Sequence, residues 1–274
     1  MNINPLIQEF MTRRVIYTYP ESSILDVRNL MIRHRISRVV IVENKKPIGI
    51  VTQRDLLRFI AENPSVDVSD AKVTEAMSGR LITAKPTDTV SYAAKLMISN
   101  GISSIVIVCD EELNGIITKF DLCICCMERF KGFFKVREYM TPNPVTVRPT
   151  LSIFEIVNIM SSKGIGRVIV VENGKPIGII TLSDLISVIP DILSIKVDYK
   201  REFRRIRTSG IWLLVASDIM TPNPITIHED GDIAEASHLM VKHNISGLPV
   251  ASRELLIGII TKTDITRAIA NITI

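Results

Sequence analysis

The stretch "GIVTQRDLL" at Gly49 recurs as "GIITKFDLC" at Gly115, "GIITLSDLI" at Gly178 and "GIITKTDIT" at Gly258. A methionine followed by Thr or Ser precedes each one: Met11, Met77, Met140 and Met220. The interval from methionine to glycine is 38 residues all four times. Four equal intervals with no gap mean one structural unit written four times. The steps between methionines are 66, 63 and 80, so extra residues lie between the third and fourth copies.

Each copy reads the same way. A short apolar stretch ("VIYT", "LITA", "VTV", "ITI") follows the methionine, then a turn, with Pro20, Pro86 or Pro149 in the first three copies. Ser23-x-x-Asp26, Ser152-x-x-Glu155 and Asp232-x-x-Glu235 predict capping boxes, and Thr89 with Tyr92 predicts a weaker cap. Apolar residues at Ile24, Val27, Leu30 and Met31 have helical spacing. Gly101, Gly164 and Asn244 suit a left-handed helix end; Arg35 stands there in the first copy. Two β-rich runs follow, "RVVIV" and "PIGIVT" in copy 1, and a second helix begins after Thr-x-x-Asp. The unit is β-α-β-β-α. It is too small to bury its own apolar helices, so units are expected to pair.

Order and motifs together resemble the cystathionine-β-synthase (CBS) domain family. The resemblance rests on "MT", on "ISR" or "ISGLPV", and on Gly-[Ile/Val]-[Ile/Val]-Thr-x-x-Asp, and it covers nearly the whole chain. It implies an α/β fold of four repeats packed pairwise: residues 1–65 and 66–135 as a first module, 136–195 and 213–274 as a second, with 196–212 inserted. It further implies a ligand-sensing protein that binds AMP, ADP, ATP or S-adenosylmethionine.

Thr-x-x-Asp is itself a capping box. The same geometry serves a ligand, because a helix N-terminus offers free N–H groups and a positive dipole end. An ionised aspartate accepts from two adjacent ribose hydroxyls. The resemblance turns threonine toward phosphate and aspartate toward ribose, at Thr52 and Asp55, Thr118 and Asp121, Thr181 and Asp184, Thr261 and Asp264. Arg38 and Arg167 occupy equivalent positions, where the resemblance implies phosphate contact; Ser104 and Gly247 replace them in copies 2 and 4. Thr83, Thr146, Thr226 and Tyr17 are equivalent positions that the resemblance places around the base. Arg167 and Thr146 make the third copy the strongest candidate.

Apolar residues make up 46% and charged residues 23%, as in a soluble globular protein. No apolar run is long enough to span a bilayer and no signal peptide is evident, which predicts a cytoplasmic protein. Cys123, Cys125 and Cys126 are expected as buried apolar side chains, with no metal site. Formal net charge is +4. Residues 196–207, "KVDYKREFRRIR", carry all of it, since six basic and two acidic residues leave a balanced remainder. That stretch opens a rival reading, nucleic-acid binding with nucleotide as effector. A ligand-free scaffold whose motifs only cap helices is the other. No nucleophile–base constellation accompanies the repeats, so the expected protein is not an enzyme. Its expected partners are a small adenosyl ligand and a second copy in a homodimer.

Overall fold

The computed structural model describes residues 4–63, 66–185 and 214–272; residues 196–207, and the expectations attached to them, lie outside this set. Copy 1 comprises β1 (Tyr17–Thr18), α2 (Ile24–His34), β2 (Arg38–Glu43), β3 (Lys46–Thr52) and α3 (Gln53–Glu62), preceded by α1 (Ile7–Phe10). Copy 2 comprises β4 (Thr83–Ala84), α4 (Val90–Ser99), β5 (Ser104–Cys109), β6 (Glu112–Thr118) and α5 (Lys119–Arg129). Copy 3 begins with α6 (Val136–Tyr139) and β7 (Thr141–Pro142), then β8 (Thr146–Val147), α7 (Ile153–Ser162), β9 (Arg167–Glu172) and β10 (Lys175–Thr181). Copy 4 begins with α8 (Ala216–Ile219) and β11 (Thr221–Pro222), then α9 (Ile233–Lys242), β12 (Gly247–Ser252), β13 (Leu255–Thr261) and α10 (Lys262–Ala270).

In the first three copies the first strand runs parallel to the second, and the second pairs antiparallel with the third. In copy 4 the first strand shrinks to a parallel bridge between Ile227 and Val250. Every hairpin carries a bulge beside the glycine of the repeated motif.

That glycine explains the 38-residue interval, and the explanation crosses copies. Thr12 bridges Ile116 in copy 2, Ser78 bridges Ile50 in copy 1, β7 pairs with β13, and β11 pairs with β10. Paired copies therefore exchange their N-terminal arms. Met11 lies on Gly115 and Met140 on Gly258, so that an added Cβ would stand 3.0 and 2.8 Å from the respective sulfurs. The constant interval relates two positions in different sheets; residues 7–12 precede copy 1 in sequence but complete the sheet of copy 2.

Between the exchanged arms the two sheets of the first module bury Val40 and Val42 against Val106 and Ile116. Ion pairs join the hairpin tips, Lys46 with Glu111 and Lys45 with Glu112 in the first module, Lys175 with Glu254 in the second. The modules then meet helix to helix, with α4 and α5 of copy 2 against α9 and α10 of copy 4. Ala93, Ala94, Cys123, Cys126, Ala236 and Ala268 are fully buried in this shared core, and side chains this small let helices approach closely. The apolar helix faces of copies 2 and 4 thus cover each other within one chain. Copies 1 and 3 meet where Arg54 Nη2 donates to the Gly164 carbonyl at 3.1 Å and Ser183 Oγ donates to Gln53 Oε1 at 3.2 Å.

Local chemistry follows the sequence with two differences. Ser23 and Asp26 form a full capping box, and Ser152 and Thr89 each accept one helix N–H. Asp232 does not pair with Glu235: it accepts from Ala234 N–H and from Gly132 N–H, tying the inter-module connection to α9. Arg35 adopts the left-handed conformation (φ 52°) that glycine or asparagine takes elsewhere, a backbone strained for a residue with a Cβ. Among the described residues no helix is long and apolar enough to cross a membrane.

Candidate functional site

Strand register gathers the motif residues of each copy at one end of its hairpin. Arg38 lies opposite Thr52, Ser104 opposite Thr118, Arg167 opposite Thr181, and Gly247 opposite Thr261. The first strand adds Tyr17 beside Val40, Thr83 beside Val106 and Thr146 beside Ile169, each two residues along from the arginine or its counterpart. With a period of two, these belong to the same face as that counterpart. Thr83, Thr146 and Thr226 are exposed. Tyr17 is 46% exposed and meets Tyr19 edge-on.

All four Thr-x-x-Asp motifs are closed capping boxes. In each, aspartate Oδ2 accepts from both the N–H and the hydroxyl of its threonine: 2.9 and 2.6 Å at Thr52, 2.7 and 2.7 Å at Thr118 and at Thr181, 2.8 and 2.8 Å at Thr261. The threonine hydroxyl hydrogen, expected for a phosphate, is here given to its own aspartate. Capping uses one carboxylate oxygen. The other, Oδ1, accepts from Thr12 Oγ1 at 3.4 Å in Asp121, and pairs with Arg58 at 3.1 Å in Asp55 and with Arg267 at 3.2 Å in Asp264. Capping and ligand contact are therefore compatible in one carboxylate.

The four aspartates are not equivalent. Asp121 and Asp264 are 5% and 2% exposed, while Asp55 and Asp184 are half-buried. Burial at the module junction raises the carboxyl pKa of Asp121 and Asp264 above the ordinary value, against the opposing pull of their threonine hydrogen bonds. Beside Asp55 a cleft is lined by Arg58, Phe59, Glu62, Glu75, Ala76 and Met77; its three carboxylates make it a poor place for an anion.

Each arginine reaches into the partner copy. Arg38 Nη1 donates to the Ser103 carbonyl of copy 2 at 2.7 Å, its Nη2 donates to Ser37 Oγ at 2.7 Å, and it lies in the field of Asp121. Arg167 Nη2 donates to Ser246 Oγ of copy 4 at 2.9 Å and lies in the field of Asp264. Burial lowers both guanidinium pKa values to about 10. The arginines thus serve the copy 2 and copy 4 sites. This shifts the emphasis away from copy 3, because a long side chain at the module's pseudo-symmetry axis extends across it.

Two residues that the motif reading passed over complete the geometry. Lys119 Nζ donates to Thr263 Oγ1 in copy 4 at 3.1 Å, and Lys262 Nζ sits over the Phe120 ring of copy 2, 4.4 Å from its centroid. Burial, and for Lys119 the neighbouring arginines, push both ammonium pKa values down to about 8. A signal was present in the sequence: each is the first residue of its helix, where a cation opposes the helix dipole. Among the described residues no group of His, Cys, Asp and Glu is arranged to hold a metal ion, and Cys123, Cys125 and Cys126 are fully buried.

A family model for the CBS domain matches residues 7–62, 72–127, 136–191 and 216–271. An uncharacterised protein, MJ1225 of Methanocaldococcus jannaschii, is 24% identical over 277 residues, covering 94% of this chain and 96% of its own length. The crystal structure of MJ1225, described as a proposed archaeal homologue of g-AMPK, superposes with a TM-score of 0.82 at 22% identity, over 96% of this chain and 99% of that one. Inosine-5'-monophosphate dehydrogenase of Korarchaeum cryptofilum is 34% identical over 116 residues, 42% of this chain and 23% of the enzyme.

Proposed function

The chain belongs to the CBS domain family, and from that premise we propose that it is a regulatory protein that binds an adenine nucleotide between paired copies. The observation that carries this reading is the pairing, twice over, of a guanidinium with a capped carboxylate of the partner copy: Arg38 with Asp121 and Arg167 with Asp264. A carboxylate with one oxygen beyond its cap suits a ribose diol. A guanidinium beside it suits a phosphate through paired, charge-assisted hydrogen bonds. Together they have the polarity of a nucleotide.

Within the adenosyl class the charge favours AMP, ADP or ATP over S-adenosylmethionine, whose sulfonium would enter a region already rich in cations. The chain acts by binding, not by catalysis. Ligand favours the arrangement of the two modules that it binds best, and a protein partner reads the shift.

Isothermal titration of the full chain with AMP, ATP, adenosine and S-adenosylmethionine tests the reading. The nucleotides are expected to bind tighter than adenosine and S-adenosylmethionine. A parallel thermal melt should show stabilisation of about 2–3 kcal/mol at a hundredfold excess over Kd. No binding by any of the four would leave the motifs as helix caps alone.

A further inference from the structure

We infer that the junction of the two modules is one anion site, built by both modules at once, that takes a single phosphoryl group or pyrophosphate per chain. Four cations converge there, one from each copy. Lys119 of copy 2 crosses to Thr263 of copy 4 at 3.1 Å, and Lys262 of copy 4 crosses to the Phe120 ring of copy 2 at 4.4 Å. Arg38 of copy 1 and Arg167 of copy 3 lie close enough for their fields to act on both lysines. The facing carboxylates are Asp121 and Asp264, and Asp264 is shared with Arg267. Four cations against two carboxylates leave an excess of two positive charges in a largely desolvated place, an arrangement that costs free energy unless an anion joins it.

Two further observations point the same way. Lys119 and Lys262 each open a helix, so at both N-termini a cation stands where the helix dipole favours an anion. A phosphoryl group would meet the dipole ends of α5 and α10 and satisfy the lysines at the same time. Arg167 Nε is buried with no hydrogen-bond partner among the described residues. Such a donor beside a fork already engaged on Ser246 leaves capacity for a tetrahedral, multiply charged acceptor.

The site is single because its donors are shared. Each lysine belongs to one module and lies against the other, so the first phosphoryl group takes donors from both. A second would arrive where the excess charge is already neutralised. On the reading above, that adenosine sits by Asp121 or Asp264, a nucleotide bound at either place puts its phosphate in the common centre. The second nucleotide then binds more weakly, whereas two adenosine molecules do not interfere.

Titration calorimetry of the full chain with pyrophosphate, at constant ionic strength, tests this. The expected stoichiometry is one per chain. Lys119→Gln and Lys262→Gln should each weaken pyrophosphate at least tenfold and to a similar extent, although they lie in different modules, and leave adenosine unaffected. Circular dichroism melts establish that both variants fold. Pyrophosphate binding at two per chain or not at all, or one of the two variants behaving as wild type, would overturn the inference. AMP separates the two readings. If AMP does not bind while pyrophosphate binds one per chain, the nucleotide reading fails and the anion site stands. If AMP fills two equal, independent sites and pyrophosphate does not bind, the anion site fails and the nucleotide reading stands.

Discussion

The guanidinium of Arg167 fills the space that a side chain at position 247 would need: Nη1 lies 2.9 Å from where a Cβ on Gly247 would stand. The two positions are equivalent in copies 3 and 4, so the difference between those copies is one physical relationship. One copy extends an arm across the pair and the other leaves room for it. The first module repeats the device, with Arg38 bonded to the Ser103 carbonyl and small, buried Ser104 at the matching position.

Replacing that arm separates phosphate contact from packing. Arg167→Lys keeps a charge but loses the planar fork. With a charge-assisted hydrogen bond worth about 1.5–3 kcal/mol, AMP affinity should fall roughly ten- to hundredfold, with adenosine affinity unchanged. Calorimetry on the folded variant checks it; equal losses for both ligands would mean the arginine only supports the fold.

The reach of the arginines ranks the aspartates. Asp264→Asn should weaken AMP roughly ten- to hundredfold, and Asp184→Asn by less, because Arg167 faces Asp264. Asparagine retains an oxygen for the cap, so both variants should fold. Asp184→Ala, which removes the cap, should cost about 0.5–2 kcal/mol of stability by urea denaturation. Equal affinity losses in the two Asn variants would show that the arginine does not choose between the sites.

Arm exchange predicts an energetic coupling between modulewise partners. A Cβ at Gly178 would stand 2.8 Å from Met220 Cγ and 3.1 Å from its Cβ, too close for relief by the sulfur alone. Gly178→Ala is expected to destabilise the fold by about 1–3 kcal/mol. In a Met220→Ala background the same change should cost clearly less, giving a non-additive double-mutant cycle in urea melts. Additive costs would place the strain elsewhere.

The lysines predict a pH response. Their pKa values near 8 lie below the ordinary 10.5, so they lose charge as pH rises from about 7 to 9, and affinity for AMP or pyrophosphate should fall across that range. Arg38 and Arg167, near 10, stay charged there, and Asp121 and Asp264, although raised, stay ionised. Stability without ligand moves the other way. The folded chain releases the lysine protons at lower pH than the unfolded chain, so the unfolded state holds more protons above about 8 and stability rises with pH. Cys123, Cys125 and Cys126 oppose this above about 9, since burial raises their thiol pKa values and the unfolded chain ionises first. Melting temperature should therefore increase between about pH 7.5 and 8.5, and Lys119→Gln with Lys262→Gln should flatten the rise.

The sequence by itself determined everything that is local. Thr52 and Asp55 make a helix start because three residues bring a carboxylate back to an N–H; the β-α-β-β-α order and the four-copy count follow from periodicity and turn residues along the chain. Pairing of the copies was also legible, because one unit cannot bury its own helices. The tertiary structure decided which copy uses each residue. Met11 lies on Gly115 and Arg38 bears on Asp121, although in sequence each belongs with copy 1, because arms and long side chains cross a pseudo-symmetry axis that no spacing along the chain can express. It also decided the charge at the centre. Lys119 and Lys262 lie in opposite modules and 143 residues apart, and only the packing of α4 and α5 on α9 and α10 brings them into one field, where desolvation and mutual repulsion give them properties that neither has in its own segment.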